Sequence, residues 1–331
     1  MLPNWIIIGA PKSLTSSLFR WLADHPQVCG SAEKETYYFV DPGSHMFRAD
    51  RHIGSGGLAG YEALFRECGQ AARAVVEATP SYLFSRTALR ELPSLETEPR
   101  FIVVLREPVA QLRSLHLYFQ QNWNWIPQNV GFAEFVRLVD SGQARFKGNE
   151  LAEHALEYAW YPRYLRQWRD AVGKDRLLVL LFDDLTADSR GTMANLAERM
   201  NINPAFYATY DFPAENESYV SRSRLLQQIN IAVRGRMPHG RLYDAVRRIY
   251  RSLNTRQPRG QSEPRVDAML SRRYLPMLDE LENEFGLDVG AWRAKLQSRI
   301  DAAPSPLESV GASPVTRHAS RVVAKAVEAR R

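Results

Sequence analysis

Short runs of consecutive apolar residues recur along the chain, and each has the length of a buried strand. They lie at residues 5–8, 74–76, 101–105 and 177–182. Between them, apolar residues recur at three- and four-residue spacing, as Leu18, Phe19 and Leu22 do, which is typical of a helix face. Strands that alternate with helices in this way form βαβ units. The pattern predicts an α/β fold, with a central parallel β-sheet flanked by helices on both faces.

A long helical pattern occupies the C-terminal part of the chain. Apolar residues repeat at three and four positions from Val266 to Leu281, and Gly286 is a typical helix stop. Pro276 falls inside this pattern and predicts a kink or two abutting helices. From residue 302 the composition shifts to Ala, Ser and Pro, so we expect one domain over residues 1–301 and a mobile, partly basic tail over residues 302–331.

Composition narrows the class of protein. The chain has 331 residues, of which 45% are hydrophobic and 24% charged, which excludes collagen-like, disordered and coiled-coil classes. A net charge of +6 favours an anionic ligand.

No apolar run approaches the roughly 18 residues that cross a bilayer, and the N-terminus lacks the pattern of a signal peptide, so we expect a cytoplasmic protein. Cys29 and Cys68 lack metal-ligand spacing, so we expect reduced thiols and no disulfide.

The loop after the first predicted strand is the first candidate site. It reads Gly-Ala-Pro-Lys-Ser-Leu-Thr-Ser-Ser over residues 9–17. A loop that enters a helix aims backbone N–H groups at one point and binds phosphate-like anions. It is not a nucleotide-triphosphate P-loop, because the lysine comes early and no second glycine precedes it. A capped turn with an exposed lysine is the alternative. The candidate ligand-binding residues are Ala10, Pro11, Lys12, Ser13, Leu14, Thr15, Ser16 and Ser17.

The end of the third predicted strand is the second candidate site. Arg106 follows that strand directly, and its guanidinium can bind an anion through two hydrogen bonds. Pro108 suits the first turn of a helix, and Ser114 lies about two turns into it. Arg106 and Ser114 can therefore converge on one phosphate. The alternative is an ion pair between Arg106 and Glu107 or another carboxylate.

Together the two segments carry a resemblance to a known family. The loop at residues 9–15 resembles the 5′-phosphosulfate loop of sulfotransferases that use 3′-phosphoadenosine 5′-phosphosulfate (PAPS), and Leu105-Arg106-x-Pro108 with Ser114 resembles their 3′-phosphate motif. Further segments are similar to the bacterial and heparan-sulfate-type branch of that family and keep its order. They are Lys-Glu-Thr-Tyr-Tyr-Phe at residues 34–39, Glu-Ala-Thr-Pro-Ser-Tyr-Leu at residues 77–83, and a strand region at residues 165–185.

The resemblance implies a P-loop-like α/β sheet and transfer of a sulfuryl group from PAPS, without a metal, to a hydroxyl or amine of a carbohydrate or small metabolite. Lys12 would stabilise charge on the leaving phosphate oxygen. Glu35 would be the general base, with Glu77 as its rival, although a salt bridge with Lys34 or Lys12 is the alternative for Glu35. Arg222, in a segment similar to the family's late loop, would add a 3′-phosphate contact.

Three positions depart from the family pattern. Tyr37 stands where the family has histidine, Leu14 where it usually has glycine, and Ser16 where it often has threonine. If residue 14 needs a positive φ, the leucine costs about 1 kcal/mol or more. Leu14 therefore motivates the alternative that the chain is an inactive nucleotide- or glycan-binding protein.

Other readings stay open. Residues 234–265 hold nine arginines and two carboxylates, which suits a polyanionic acceptor, the cofactor phosphates, peripheral membrane contact or a solvated face. A kinase-like phosphotransferase is disfavoured by the loop, and no motif supports a nucleic-acid partner. An aromatic cluster either contacts the acceptor or packs in a loop, and it comprises Tyr118, Phe119, Trp123 and Trp125.

Overall fold

A five-stranded parallel sheet forms the centre of the protein. The computed structural model describes residues 1–213, 220–221, 255–256 and 263–303. The sheet has the strand order β2-β3-β1-β4-β5, so β1 lies at its middle. Its strands are β1 (Trp5–Gly9), β2 (Val28–Gly30), β3 (Ala74–Ala78), β4 (Arg100–Leu105) and β5 (Leu177–Leu181). Two short strands, β6 (Val220–Ser221) and β7 (Thr255–Arg256), pair separately and antiparallel.

Helices connect the strands and cover both faces of the sheet. In the part of the chain from residue 1 to residue 213 they are α1 (Thr15–Ala23), α2 (Ile53–Glu62), α3 (Arg86–Glu91), α4 (Pro108–Gln121), α5 (Phe132–Asp140), α6 (Glu150–Glu153), α7 (Ala155–Tyr158), α8 (Tyr161–Val172), α9 (Phe182–Ala187) and α10 (Ser189–Arg199). Two more, α11 (Pro264–Phe285) and α12 (Gly290–Asp301), follow near the C-terminus. Short 3₁₀ turns lie at Ala63–Phe65, Pro80–Phe84, Leu92–Ser94 and Pro204–Ala208.

Apolar strands that are covered on both faces explain the two halves of the core. Successive side chains of a strand point to opposite faces. Ile6 and Ile8 of β1 accordingly pack into one cluster of buried residues, and Trp5 and Ile7 pack into the other. All five residues of β1 are buried. The predicted α/β fold with a parallel sheet between helices is therefore confirmed.

Local structure differs from the sequence prediction in two places. The edge strand β2 has three residues and no apolar run long enough to mark it. At the C-terminus, α11 runs through Pro276 as one helix, so the expectation of two abutting helices was wrong. Tyr274 and Met277, on either side of the proline, are fully buried. Packing of this face holds the helix together where one backbone hydrogen bond is lost.

Cys29 and Cys68 form a disulfide, so the expectation of reduced thiols was wrong. Their Cα atoms lie 5.6 Å apart although 39 positions separate them in the chain. The backbone N–H of Ala32 donates to the carbonyl of Leu64 at 2.9 Å, which places the segment after β2 against the turn that precedes Cys68. Cysteine spacing alone could not reveal this proximity, because it arises from the packing of two distant segments.

Several predictions concern parts of the chain outside the described residues. Arg222 lies there, as do the tail from residue 304 onward and most of the arginine-rich segment at residues 234–265. Within the described ranges, no helix is long and apolar enough to cross a membrane. The structure therefore leaves the boundary between domain and tail as a prediction.

Candidate functional site

The loop between β1 and α1 has the form of an anion-binding site. The backbone N–H of Ala10 donates to the carbonyl of Val104 at 2.9 Å, which fixes the start of the loop against β4. The first helical residue is Thr15, so the N–H groups of the first turn of α1 have no partner inside the helix. The N-cap residue is Leu14, which has no side-chain acceptor and makes no capping hydrogen bond. The donors at this helix end therefore suit an anionic ligand.

Ser13 adds an unsatisfied donor to the same loop. Its side chain is completely buried, and among the described residues its Oγ has no hydrogen-bond partner. Buried hydroxyls normally have a partner, so an unpaired one indicates a missing ligand or water. Thr15 and Ser17 are also buried, whereas Ser16 is half-buried.

Four of the nine non-glycine residues with a positive φ in the described part of the chain belong to the site. Lys12 has a φ of 67° and Leu14 a φ of 70°, both in the left-handed region. Glu35 and Tyr37 also have positive φ values, 63° and 53°. Each costs a non-glycine residue of order 1 kcal/mol, and such strain is found mostly at functional sites. The left-handed geometry expected for a glycine at position 14 is thus adopted by a leucine, whose side chain packs beside the second core cluster.

Lys12 is the cation at the centre of the loop. Its Nζ lies 3.9 Å from the centroid of the Tyr118 ring. Burial lowers the pKa of Lys12 to about 7, and the positive charges of Arg106 and Lys34 act in the same direction against the opposing effect of Glu35. A large fraction of Lys12 is therefore neutral at pH 7, and an anion bound beside it would restore its proton.

Arg106 joins the second candidate segment to the loop. Its Nη1 donates to the carbonyl of Lys12 at 3.1 Å, and its guanidinium lies 4.4 Å from the centroid of the Phe182 ring. The hydroxyl of Tyr161 donates to the carbonyl of Arg106 at 2.9 Å and fixes the backbone at this point. The expected alternative, an ion pair with Glu107, is not what the structure contains, because Glu107 pairs with Arg299 at 3.0 Å.

Glu35 lies beside the loop at the end of β3. Its backbone N–H donates to the carbonyl of Ala78 at 2.9 Å. Lys34 donates to one carboxylate oxygen and the hydroxyl of Tyr37 donates to the other, so the anticipated salt bridge with Lys34 is present. Burial alone would raise the pKa of Glu35, but Lys34, Tyr37 and Lys12 outweigh it and hold that pKa below its usual range. The carboxylate is ionised at neutral pH and keeps unused lone pairs.

Glu77, the rival carboxylate, belongs to the interior. It is completely buried in β3 and accepts hydrogen bonds from Thr36 at 2.8 Å, Thr79 at 2.7 Å and Tyr61 at 2.7 Å. Burial raises the pKa of Glu77 against the effect of these donors. A carboxylate in this position ties the segment around Thr36 to β3 and has no access to an acceptor.

The remaining candidate residues lie on α4 and in the aromatic cluster. Ser114 lies on α4, as predicted, and is buried. Two residues further on, His116 is also buried, and its Nε2 lies 2.9 Å from the carbonyl of Val130, so this histidine packs in the interior. The aromatic cluster forms a chain of ring contacts in which Trp123 and Trp125 stack with centroids 5.5 Å apart.

Sequence reasoning missed two supporting residues. Gln111 of α4 donates from Nε2 to the carbonyl of Pro11 at 3.0 Å and braces the loop. Phe182 lies under Arg106. Neither residue type signals such a role, because both contacts depend on how α4 and β5 pack against β1. Among the described residues, no group of His, Cys, Asp and Glu could hold a metal ion.

The left-handed backbone at Leu14 predicts that a glycine variant is more stable there than an alanine variant, which is the reverse of the usual order in a helix. Leu14→Ala and Leu14→Gly both remove the side chain, but only glycine removes the penalty of the positive φ. We expect Leu14→Gly to be the more stable by about 1 kcal/mol in free energy of unfolding, measured by urea denaturation.

Arg20, on the exposed face of α1, is the matched control for Leu14. There the glycine variant should be less stable than the alanine variant by about 1 kcal/mol. The same order at both positions would contradict a left-handed conformation at Leu14.

Comparison with known proteins places the chain in a family. A model described as the sulfotransferase family matches residues 3–205. Carbohydrate sulfotransferase 15 of Mus musculus is 24% identical over 248 residues, which cover 61% of this chain and 44% of the mouse protein. Heparan sulfate glucosamine 3-O-sulfotransferase 6 of Homo sapiens is 26% identical over 270 residues, which cover 77% of this chain and 70% of the human protein. The chain thus spans less than half the length of the mouse relative.

A solved structure shares the fold. The crystal structure of a sulfotransferase from Alicyclobacillus acidocaldarius matches with a TM-score of 0.60 and 19% identity, covering 88% of this chain and 99% of that one. This likeness agrees with a P-loop-like α/β architecture. The family model covers well over half of the sequence and includes the loop at Lys12 together with Glu35 and Arg106. The chain therefore belongs to the sulfotransferase family.

Proposed function

We propose that this protein is an enzyme that transfers a sulfuryl group from PAPS to a hydroxyl or amine of a carbohydrate or small metabolite. The observation that carries the proposal is that Lys12, in the loop after β1, and Glu35, bonded to the end of β3, lie at the same edge of the sheet as a helix N-terminus that has no side-chain cap. Lys12 and Glu35 lie close enough for the carboxylate to act on the pKa of the lysine. A cation for a leaving group and a carboxylate for an attacking group are the two charges that such a transfer needs.

The loop suits the 5′ end of the cofactor. In this proposal, the N–H groups of the first turn of α1 and the hydroxyls of Ser13, Thr15 and Ser16 bind the 5′-phosphate. The assignment is supported by the position of the loop at a helix N-terminus without a side-chain cap, and by the buried Ser13 Oγ, which has no hydrogen-bond partner among the described residues. Arg106 and Ser114 bind the 3′-phosphate, and Arg222 adds a contact from its own segment.

Two side chains take part in the chemistry. PAPS supplies an activated sulfuryl group whose leaving group is adenosine 3′,5′-bisphosphate. Glu35 accepts the proton of the acceptor hydroxyl or amine as the new bond to sulfur forms. Lys12 moves from the Tyr118 ring to the phosphate oxygen that leaves sulfur, where it offsets the developing negative charge. Tyr37 and Lys34 hold the Glu35 carboxylate in place and keep it ionised.

The acceptor is proposed to be a carbohydrate. The support is that relatives of this chain are named for carbohydrate and heparan sulfate acceptors. The arginine-rich segment at residues 234–265 would suit a polyanionic acceptor or a peripheral membrane surface. Cytoplasmic location stays a prediction, and the disulfide between Cys29 and Cys68 counts against it, because such bonds persist mainly in oxidising compartments.

Calorimetric titration tests the cofactor class. We expect micromolar, metal-independent binding of adenosine 3′,5′-bisphosphate and binding of adenosine 5′-monophosphate that is weaker by tenfold or more. Arg106→Ala should remove most of that preference, since a charged hydrogen bond to phosphate is lost, and leave affinity for the monophosphate within about threefold.

Arg100, at the opposite end of β4, is the matched control, and Arg100→Ala should keep the preference. Stronger binding of ATP with magnesium would favour the phosphotransferase reading. Binding of neither adenosine phosphate would leave the inactive binding protein as the leading reading.

The pKa of Lys12 predicts a pH dependence of bisphosphate binding. In the free protein Lys12 loses its proton near pH 7, whereas the bound phosphate favours the protonated form. Affinity should therefore rise about tenfold as the pH falls from 8 to 6, and binding at pH 7 should take up about half a proton. Calorimetry in buffers of different ionisation enthalpy measures this uptake.

Lys12→Ala is the reference for this prediction. It retains the part of the pH dependence that comes from protonation of the phosphates themselves. Equal proton uptake by the two proteins would show that Lys12 does not gain a proton on binding.

Substitution of Glu35 and of Glu77 distinguishes a catalytic carboxylate from a structural one. Glu35→Gln should lower turnover by a factor of about 10² or more, since no base then accepts the acceptor proton, and leave bisphosphate affinity unchanged or tighter. Glu77→Gln keeps one amide oxygen that can accept from Thr36 and Thr79, and its amide nitrogen can donate to the Tyr61 hydroxyl in place of the lost acceptor, so this variant should retain turnover if the protein folds. The measurement is transfer of radiolabelled sulfuryl groups to a panel of oligosaccharides. Loss of turnover in Glu77→Gln alone would reverse the assignment.

A further inference from the structure

Two carboxylates lie next to Arg106. Glu107 follows it directly in the chain and is buried, and Asp183 follows Phe182, whose ring lies 4.4 Å from the Arg106 guanidinium. Burial lowers the pKa of Arg106, while Tyr161, Glu107 and Asp183 act in the opposite direction, so both carboxylates lie within its field. A carboxylate here whose charge is not neutralised would attract the guanidinium of Arg106 and would repel a phosphate.

The last described helix supplies a cation to each carboxylate. Arg299 Nη2 donates to Glu107 Oε2 at 3.0 Å, and its Nη1 lies 3.0 Å from Glu107 Oε1. Lys295 Nζ donates to Asp183 Oδ1 at 2.7 Å, next to a second donor to that carboxylate, Trp292 Nε1, at 2.7 Å from Oδ2. Residues 292, 295 and 299 are spaced by three and four positions and share one face of α12.

Glu107 has a structural role of its own at the start of α4. Its carboxylate accepts from the backbone N–H groups of Val109 at 2.9 Å and Ala110 at 3.1 Å, and it caps the N-terminus of α4. Helix α4 carries Ser114 and begins two residues after Arg106, so this cap contributes to the geometry of the second candidate segment. The cap accounts for a carboxylate at this position, and a cation from another element offsets its charge.

Helix α12 is held in its place by Trp292 and Leu296, which are buried. Arg293 pairs with Asp279 at 2.9 Å and with Glu282 at 2.6 Å on α11, but these pairs lie at the surface and contribute little. The family match ends at residue 205, well before α12 begins. The contacts of α12 with residues beside Arg106 therefore lie outside the matched region.

We propose that α12 belongs to the nucleotide site, where Arg299 and Lys295 neutralise the carboxylates beside Arg106 and so leave its charge for the 3′-phosphate. The inference rests on the proposed function. Arg299 has the larger effect, because the side chain of its partner Glu107 is only 3% exposed. Water screens the second pair, in which the side chain of Asp183 is 35% exposed. Arg299 is thus a positioning residue that acts through Glu107 and Arg106.

Arg299→Met tests this role by calorimetry. We expect the dissociation constant for adenosine 3′,5′-bisphosphate to rise about tenfold and that for adenosine 5′-monophosphate to stay within twofold, because only the 3′-phosphate meets Arg106. The double variant Glu107→Gln with Arg299→Met removes the unpaired carboxylate as well, and it should return bisphosphate affinity to within about threefold of the wild type. Arg293→Met, on the same helix but paired with α11, is the matched control and should bind both nucleotides as the wild type does.

The outcomes separate this inference from the proposed function. Wild-type protein without a preference for the bisphosphate would overturn the cofactor proposal and the inference with it. A wild-type preference that survives in Arg299→Met would overturn the inference alone. Equal weakening of both nucleotides in Arg299→Met, without rescue by Glu107→Gln, would assign Arg299 a merely structural role and overturn it too.

Discussion

The parallel pairing of β1 with both β3 and β4 is the constraint on which the site depends. Parallel strands end at the same edge of a sheet, and loops that follow them meet there. The loop with Lys12 follows β1, Arg106 follows β4, and the segment with Glu35 bonds to the end of β3. The hydrogen bond from Arg106 to the carbonyl of Lys12 then joins two of these loops directly.

The surroundings of Lys12 and Glu35 at this edge of the sheet determine the charge that each side chain carries. Lys12 is buried enough to lose its proton near neutral pH, and Glu35 is kept ionised by Lys34 and Tyr37. A site in which the resting cation is partly neutral gains a proton when an anion arrives. Under the proposed function, cofactor binding and the charge needed for the leaving group would be linked in this one side chain.

The candidate site contains strained backbone, whereas the interior that supports it contains polar groups with hydrogen-bond partners. Lys12, Leu14, Glu35 and Tyr37 adopt left-handed backbone conformations, and among the described residues the Oγ of Ser13 has no hydrogen-bond partner. By contrast, the buried carboxylate of Glu77 accepts from three hydroxyl donors. The strained residues belong to the candidate site, whereas Glu77 belongs to the interior that supports it.

The sequence by itself determined four of the five strands of the central sheet, their alternation with helices, and the loop and arginine motifs. These depend on short apolar runs, helical spacing and local motifs, which each segment carries regardless of the rest of the chain. The resemblance of residues 34–39 to a family segment pointed to Glu35 as the base, with Glu77 as its rival. The sequence could not show which carboxylate is buried, because burial depends on neighbours distant in the chain.

Tertiary structure decided what depends on long-range packing. It paired Cys29 with Cys68, kept α11 continuous through Pro276, placed Gln111 and Phe182 around the loops, and brought Arg299 to Glu107 across 192 positions of chain. A contact of this kind has no sequence period and no fixed spacing. It exists only because the sheet, α4 and the C-terminal helices pack together, and that packing is a property of the whole fold.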